Sequence, residues 1–331
     1  MTPTPNSQSP TPRAKLALLF PGQASQAVGM GAELREASQP AREIFALADS
    51  LTGLPITRLS EEGPLEALTA TEVAQPALVA TSLAALAYLR EELSDAWPVE
   101  AVAGHSVGEF AACVAAGALD EEQALRLVHV RAQAMAAACE RVGSGGTMLA
   151  VIGLDAAALE AICQAASDAE GSVELANLNA PGQLIISGEQ RAVQRAAEQA
   201  LASGARRILP LQVGGPFHSV YMRPAAEPLR QALAGSPPRQ PGTVLIANVS
   251  AEPVHQPEAL IQELVSQVYS PVRWSDSLQC LAAMGCDRFL EVGPGTVIAG
   301  LVKRTLPQAR VASFGAPADL KSARSLLDAE E

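Results

Sequence analysis

Positive charge is scarce in this 331-residue sequence. Lys and Arg number 23 against 35 Asp and Glu, so the formal net charge is −12, and the only lysines are Lys15, Lys303 and Lys321. An acidic protein repels the phosphates of nucleic acids and the headgroups of anionic membranes. We therefore expect neither nucleic acid nor a membrane among its partners. Because Arg supplies almost all of the basic side chains, residue type alone makes no Arg a functional candidate.

Paired cysteines, metal-ligand clusters and long apolar runs are also missing. The five cysteines are odd in number and contain no C-x-x-C pair, which predicts buried thiols in a reducing cytoplasm. With four scattered histidines they form no metal-site pattern, and we expect no metal and no bound cofactor. No apolar run reaches the ~20 residues of a membrane-spanning helix. Segment 1–14 is rich in Pro, Thr and Ser and predicts a disordered tail rather than a secretory signal.

Apolar residues, by contrast, make up 48% of the chain, as is typical of an α/β enzyme with a large core. Strand-like and helix-like segments over 15–142 and 214–318 predict a large α/β-hydrolase-like domain with a parallel sheet. Between them, 143–213 has the β-α-β-β-α-β order of an inserted ferredoxin-like subdomain. The last residues, 319–331, predict a C-terminal tail that forms a short exposed helix.

One pentapeptide carries most of the chemical information. Gly104-His105-Ser106-Val107-Gly108 follows a strand-like run and precedes an Ala-rich, helix-like run, which is the context of a nucleophile elbow. The two glycines allow the strand and helix backbones to approach closely. The serine then lies at the apex, beside free N–H groups that can stabilise an oxyanion. Ser106 is therefore the candidate nucleophile, and the alternative is an ordinary serine in a turn.

A nucleophilic serine needs a base, and the chain has four histidines. His105 is adjacent to the serine, and such a neighbour usually points away from it. His129 lies within a predicted helix, and His255 lies in a Pro-flanked loop. His218 follows an apolar strand, and open α/β sheets place their sites in the loops beyond strand ends. His218 is therefore the best-placed base, and the alternative is a hydrogen-bonded structural histidine.

Six segments of residues 15–305 form an ordered set. They are Phe20-Pro21-Gly22-Gln23-Ala24-Ser25-Gln26, Gly104-His105-Ser106-Val107-Gly108-Glu109-Phe110, Arg131-x-x-x-Met135, Asn179-Ala180-Pro181-Gly182-Gln183, Pro216-Phe217-His218-Ser219 and Glu291-Val292-Gly293-Pro294-Gly295. In this order they resemble the malonyl-CoA:acyl carrier protein transacylase family, the acyltransferases of fatty acid and polyketide synthesis. Each segment is weak alone, but six in the family's order are highly specific.

The resemblance implies a catalytic site. Ser106 would carry the acyl group as an ester, and His218 would activate the serine. The main-chain carbonyl of Gln267 would orient the histidine, so the site is a dyad and not a full triad. Backbone N–H groups of Gln23 and Val107 would form the oxyanion hole.

The resemblance also implies how the substrate is selected. Arg131 would bind the free carboxylate of a malonyl group with its planar, permanently charged guanidinium. Val107 and Phe217 match the family members that prefer malonyl, and Phe217 would disfavour a methyl branch at the α-carbon by ~1–3 kcal/mol. Ala24 stands where the family usually has Gly, so its methyl group is expected to tighten the oxyanion loop or to oppose a positive φ.

The activity implied is that of an [acyl-carrier-protein] S-malonyltransferase supplying fatty acid synthesis. Malonyl-CoA would acylate the serine, and the phosphopantetheine thiol of acyl carrier protein would attack the ester. The alternatives are a stand-alone acyltransferase of a polyketide assembly line, a serine hydrolase and a non-catalytic carrier-docking protein. We expect a cytoplasmic monomer. Because carrier proteins are acidic, docking requires a local basic patch; the candidates are Arg206 with Arg207, Arg273, and Lys303 with Arg304.

Overall fold

The computed structural model describes residues 15–93, 97, 99–142 and 145–328. The predicted disordered tail, 1–14, lies outside the described residues, as do 143–144 at the start of the predicted subdomain. Within the described ranges, the chain forms a large α/β domain into which a smaller antiparallel α/β domain is inserted. This is the architecture that the sequence predicts.

A six-stranded sheet forms the centre of the large domain. Its strands, numbered in chain order with β3–β6 in the smaller domain, are β1 (Leu16–Phe20), β2 (Val99–Gly104), β7 (Val244–Ile246), β8 (Pro253–Val254), β9 (Arg288–Val292) and β10 (Arg310–Phe314). Their order is β10-β9-β1-β2-β7-β8. All neighbours are parallel except the edge pair β7–β8, which is antiparallel.

Alternate residues of the central strand β1 pack on opposite faces of this sheet. Leu16, Leu18 and Phe20 belong to one apolar cluster, whereas Ala17 and Leu19 belong to the other. Burial on both faces explains why the parallel strands appear in the sequence as continuous apolar runs. The carboxyl ends of β1 and β2 lie side by side, at the edge where such sheets place their sites.

Helices cover both faces of the sheet. In the described part of the large domain they are α1 (Ala32–Ala37), α2 (Gln39–Thr52), α3 (Ile56–Glu62), α4 (Leu65–Thr69), α5 (Thr71–Leu93), α6 (Gly108–Ala115), α7 (Glu121–Val142), α10 (Ala226–Gly235), α11 (Pro257–Gln267), α12 (Trp274–Ala283), α13 (Val297–Thr305) and α14 (Leu320–Asp328), with 3₁₀ helices at Val220–Ala225 and Pro317–Asp319.

Helix α5 is long and apolar enough, by length and composition, to cross a membrane. Its most apolar stretch is almost entirely buried inside the protein, and it packs against α2 and α7. The sequence predicts no apolar run of that length, because polar residues such as Thr81 and Ser82 interrupt the apolar residues of α5. Burial on all sides makes α5 a core helix of the large domain.

The C-terminal helix corrects one prediction. A helix does form at α14, but Ala323 and Leu326 are buried and belong to the main apolar cluster. The helix packs against β10. The prediction of an exposed C-terminal tail over 319–331 is therefore wrong for the described residues, because one face of α14 is apolar and completes the core.

The smaller domain has the predicted ferredoxin-like pattern. Its elements are β3 (Gly146–Ile152), α8 (Ala156–Ala166), β4 (Val173–Ala180), β5 (Gln183–Glu189), α9 (Gln190–Ala202) and β6 (Arg207–Pro210). The strand order is β4-β5-β3-β6, and every pairing is antiparallel. Both helices pack on one apolar cluster of their own. The prediction of a β-α-β-β-α-β insertion is confirmed.

Candidate active site

The turn between β2 and α6 has the geometry of a nucleophile elbow. Ser106 has φ +50°, a left-handed conformation that is strained for a residue with a side chain. A Cβ atom on Gly104 would lie 2.1 Å from the Gly108 carbonyl, and one on Gly108 would lie 2.4 Å from the Phe20 carbonyl oxygen. Only glycine fits at both positions, because the end of β2 nearly touches the start of α6, and the start of α6 nearly touches the end of β1.

Ser106 and His218 are brought together from 112 residues apart. The Oγ atom of Ser106 lies 2.8 Å from Nε2 of His218, and Nδ1 of His218 lies 2.8 Å from the main-chain oxygen of Gln267. A carbonyl oxygen can only accept, so Nδ1 carries the proton and Nε2 is free to accept from the serine. The arrangement is a serine–histidine pair oriented by a main-chain carbonyl.

The environment keeps this histidine neutral. Burial, and then the positive charge of Arg131, lower the pKa of His218 to about 3. Only 4% of the residue is exposed, and its φ of +56° is again left-handed. Neutral imidazole is the form that can take a proton from a hydroxyl group.

Arg131 projects from α7 into the same site. Its side chain is 1% exposed, and Nη2 lies 3.1 Å from Oγ of Ser106 and 2.8 Å from Oε1 of Gln267. Nη1 donates to Oε1 of Gln75 at 2.5 Å. Burial lowers the pKa of Arg131 to about 10, so the guanidinium stays charged at neutral pH. A fixed positive charge therefore lies beside the candidate nucleophile.

The predicted oxyanion donors lie in two turns, Gln23 in the loop after β1 and Val107 in the elbow before α6. Within the described residues, neither the Gln23 nor the Val107 backbone N–H donates to another residue. Ala24 has φ +80°, so the conflict expected between its methyl group and a positive φ is present in the loop. Its N–H donates to Oε1 of Gln26 at 2.8 Å, which helps to hold the strained turn.

A cavity of about 510 Å³ opens onto these residues between the two domains. Its size is typical of a small-molecule site. Most of its walls are apolar, and its lining residues are Gly22, Gln23, Ala24, Ser25, His105, Ser106, Arg131, Met135, Met148, Ala150, Ile152, Asn177, Asn179, Gln183, Ile185, Leu209, Pro210, Leu211, Val213, Phe217, His218, Val297, Ile298 and Leu301. Among them, Arg131 is the one permanently charged side chain.

The two predicted selectivity residues differ in position. Phe217 lines the cavity, beside the histidine. Val107 is not among the lining residues. The role of the Val107 side chain in substrate selectivity stays a prediction.

Sequence reasoning missed three polar residues that hold the site. Asn248, just after β7, accepts the Ser106 N–H at 2.7 Å and donates to the Gly104 carbonyl at 2.6 Å, so it fixes the elbow from both sides. Gln75 orients Arg131. Glu109, in the first turn of α6, accepts from Nε2 of Gln267 and from the Asn248 N–H. Isolated polar residues in apolar stretches were the available signal.

The other three histidines are placed away from Ser106 Oγ. His105 turns toward the smaller domain, with Nε2 2.8 Å from Oδ1 of Asn179, and its ring stacks edge-on against Trp274. Burial lowers its pKa, so it is a neutral hydrogen-bond donor that ties the elbow to the insertion. His129 is half-buried on α7, and His255 is exposed in a loop.

The fold and the comparison with known families define the class of protein. The chain belongs to the acyl transferase family, since the acyl transferase domain matches residues 17–326. Among characterised relatives, it is similar to the Malonyl CoA-acyl carrier protein transacylase of Bacillus subtilis (strain 168). The two are 41% identical over 318 residues, which cover 96% of this chain and 98% of that protein.

Solved structures support the same grouping. The malonyl-CoA:acyl carrier protein transacylase of Xanthomonas oryzae pv. oryzae is 39% identical, with a TM-score of 0.88, 95% coverage of this chain and 98% of that one. A malonyl transacylase in complex with the acyl carrier protein of a type II polyketide synthase is 36% identical, with a TM-score of 0.88, 94% coverage of this chain and 99% of that one.

Proposed function

We propose that this protein transfers a malonyl group from malonyl-CoA to the phosphopantetheine thiol of an acyl carrier protein. The transfer proceeds through a malonyl ester on Ser106. The observation that carries the proposal is the position of Arg131, whose guanidinium lies 3.1 Å from the Ser106 hydroxyl in an otherwise mostly apolar cavity. The names of the relatives, which are malonyl transacylases, support the same substrate.

In the first half-reaction the serine is acylated. Ser106 Oγ gives its proton to Nε2 of His218 and attacks the thioester carbonyl carbon of malonyl-CoA. The negative charge that forms on the carbonyl oxygen is stabilised by the backbone N–H groups of Gln23 and Val107. The intermediate collapses by breaking the carbon–sulfur bond. Coenzyme A leaves with the proton from His218, and the malonyl ester remains.

In the second half-reaction the carrier thiol takes the place of coenzyme A. His218 takes the proton from the phosphopantetheine thiol, and the sulfur attacks the ester carbonyl. The carbon–oxygen bond breaks, and Ser106 regains the proton. The protein itself supplies every acid, base and oxyanion donor in both halves, and the phosphopantetheine belongs to the partner.

The substrate's carboxylate is recognised by charge. Arg131 forms two parallel hydrogen bonds to a carboxylate more readily than Lys would, because its donors form a planar fork. In the mostly apolar cavity this attraction is weakly screened. Phe217, on the cavity wall, leaves little room for a branch at the α-carbon and so favours malonyl over methylmalonyl.

The carrier protein is acidic, as this chain is, so docking uses a local basic surface. Two of the three candidate sites lie on elements that line the cavity. Arg207 begins β6, and Lys303 with Arg304 forms the last turn of α13. Arg273 instead forms an ion pair with Asp276 at 2.8 Å. We propose that the β6 and α13 side of the cavity receives the carrier.

We also propose that the protein works as a monomer in the cytoplasm and supplies malonyl groups for fatty acid synthesis. Five cysteines that are all free thiols suit a reducing compartment. Light scattering after size exclusion tests the monomer. Comparing carriers of fatty acid and polyketide synthesis as acceptors tests the pathway, and a preference for the polyketide carrier would favour the alternative role.

Intact-protein mass spectrometry tests the reaction itself. Mixing the protein with malonyl-CoA should add one malonyl group, and adding holo-carrier protein should move that group to the carrier. Ser106→Ala should fold and form no adduct. Free malonate as the main product would identify a serine hydrolase instead, and an adduct on the Ser106→Ala variant would contradict the assignment of the nucleophile.

A further inference from the structure

Glu109 is a buried carboxyl group to which the proposed reaction gives no step. The described part of the chain buries two carboxylates completely, Glu109 and Glu291. Glu291 has an evident structural task, since it accepts the N–H groups of Ile298 and Ala299 at the start of α13 and the hydroxyl of Ser313. Glu109 instead lies one residue past the elbow, within the network of the active site.

Glu109 reaches the site through the side-chain amide of Gln267. The amide nitrogen of Gln267 donates to Oε2 of Glu109 and, at 2.9 Å, to the main-chain oxygen of Ser106. The amide oxygen accepts from Nη2 of Arg131 at 2.8 Å. A carbonyl can only accept and a guanidinium can only donate, so these partners allow one orientation of the amide.

The side chain of Gln267 joins two buried groups that can carry opposite charges, the carboxyl group of Glu109 and the guanidinium of Arg131. Burial raises the pKa of Glu109 to about 8, and the hydrogen bond from Gln267 and the positive charge of Arg131 oppose that rise, so Glu109 is partly ionised at neutral pH and mostly ionised above about pH 8. Burial lowers the pKa of Arg131, and the negative charge of Glu109 opposes that fall. A buried charge without a partner is strongly unfavourable, so each group stabilises the charged form of the other.

Other titratable groups do not replace Glu109 in this task. Glu263 is the other carboxylate whose charge acts on Glu109, and its effect is repulsive. Among the described residues, Glu109 is the charged group that opposes the fall in the pKa of Arg131. His218 is held neutral and adds no counter-charge.

We propose that Glu109 is the internal counter-charge of Arg131 and acts, through the side chain of Gln267, as a positioning residue for the carboxylate-binding guanidinium. The inference deepens the proposed function and rests on it for the identity of the substrate group. It implies an exchange of partners. A malonyl carboxylate on Arg131 supplies the negative charge that Glu109 supplies before the substrate binds.

The test measures thermal stability at about pH 9, between the pKa values of Glu109 and Arg131, in three states of the wild type and of Glu109→Gln, which keeps the shape and removes the charge. The states are the free protein and the protein with saturating malonyl-CoA or acetyl-CoA, with acylation followed by mass spectrometry. Glu109→Gln should lower the Tm of the free protein by about 5 °C. Malonyl-CoA should restore at least half of that loss, whereas acetyl-CoA, which has no carboxylate, should restore little. Equal losses in all three states would overturn the proposal.

Glu291→Gln is the matched control, because it removes the other buried carboxylate, which has no bond to Arg131. Its loss of Tm should be the same with malonyl-CoA and with acetyl-CoA. If malonyl-CoA rescued this variant as well as Glu109→Gln, the rescue would not come from the counter-charge, and the proposal would fail.

A double variant keeps the proposal testable even if Glu109→Gln does not fold. Glu109→Gln with Arg131→Gln removes both charges, so the free double variant should be more stable than Glu109→Gln alone. A double variant that is equally or less stable would contradict the pairing. This comparison uses no substrate. A failure of malonyl transfer, seen as a missing adduct on the wild type, is therefore distinguishable from a failure of the counter-charge.

Discussion

The guanidinium of Arg131 donates to the hydroxyl of Ser106, with Nη2 3.1 Å from Oγ. In a malonyl thioester, one methylene group separates the carbonyl carbon from the carboxylate. A substrate whose carbonyl reaches Oγ therefore brings its carboxylate close to the guanidinium. A clamp this close to the nucleophile matches a short dicarboxylic acyl group, and this match links the geometry to malonyl transfer.

The first prediction concerns the pH dependence of serine acylation. Burial and Arg131 lower the pKa of His218 to about 3, and a lowered pKa keeps the imidazole in its basic, neutral form as the pH falls. The kcat/KM for malonyl-CoA should therefore change little between about pH 7 and about pH 5, where an ordinary histidine with a pKa of about 6.5 would be protonated.

Stopped-flow acylation across that range measures the profile, with His218→Ala as the control. The variant should be slower by a factor of ~100 or more at every pH. A wild-type rate that falls with a midpoint near pH ~6.5 would show that His218 is not held neutral by its surroundings.

The second prediction concerns the branched substrate. Phe217 lines the cavity, so Phe217→Ser should open space beside the acyl ester and leave His218 and Arg131 in place. The ratio of kcat/KM for methylmalonyl-CoA to that for malonyl-CoA should rise, by at most ~10–200-fold, since one methyl group is at stake. Val107→Ala is the control, because Val107 is not among the residues that line the cavity. A ratio that changes only in the Val107 variant would reverse the assignment.

The third prediction concerns the strained loop that carries Gln23. Ala24 has φ +80°, and a left-handed conformation costs a non-glycine residue ~1–2 kcal/mol. Ala24→Gly removes this strain but gains freedom in the unfolded state. We expect a net stabilisation of up to ~1 kcal/mol with acylation retained. Ala27→Gly, in the same loop without a positive φ, should destabilise. Chemical denaturation measures both, and a loss of stability in Ala24→Gly would contradict the strain.

The fourth prediction concerns carrier docking. Lys303→Glu with Arg304→Glu should raise the KM for the carrier protein several-fold at low ionic strength, because an attraction to an acidic partner becomes a repulsion. The effect should shrink as salt is added. Lys321→Glu, on α14, which contributes no residue to the cavity, is the matched control. Equal effects of the two changes on the KM would place docking elsewhere.

The parts of the fold and site that the sequence predicts are those set by local patterns. The elbow is predictable because two glycines flank a serine between a strand and a helix, and the ferredoxin-like insertion because its elements alternate in a known order. Helix α13, which supplies part of the cavity wall, was missed because it is short and follows a Gly-rich turn. The burial of one face of α14 depends on β10, which the helix pattern alone does not reveal.

The supporting polar contacts could not be predicted, because each joins distant parts of the chain. Gln75 meets Arg131 across 56 residues, and Asn248 meets Ser106 across 142. Glu109 meets Gln267 across 158. Sequence spacing carries no information about such partners until the sheet order is known.

The most direct test of malonyl selection by charge is the ratio of malonyl to acetyl transfer in Arg131→Ala. Charge-assisted hydrogen bonds are worth roughly 1.5–3 kcal/mol, so kcat/KM for malonyl-CoA should fall at least about tenfold, and the activity toward acetyl-CoA relative to malonyl-CoA should rise. Arg126→Ala, which removes an exposed arginine of the same helix, paired with Glu122, should change neither. Equal losses on both substrates in Arg131→Ala would show that this residue only maintains the structure, and would contradict the account.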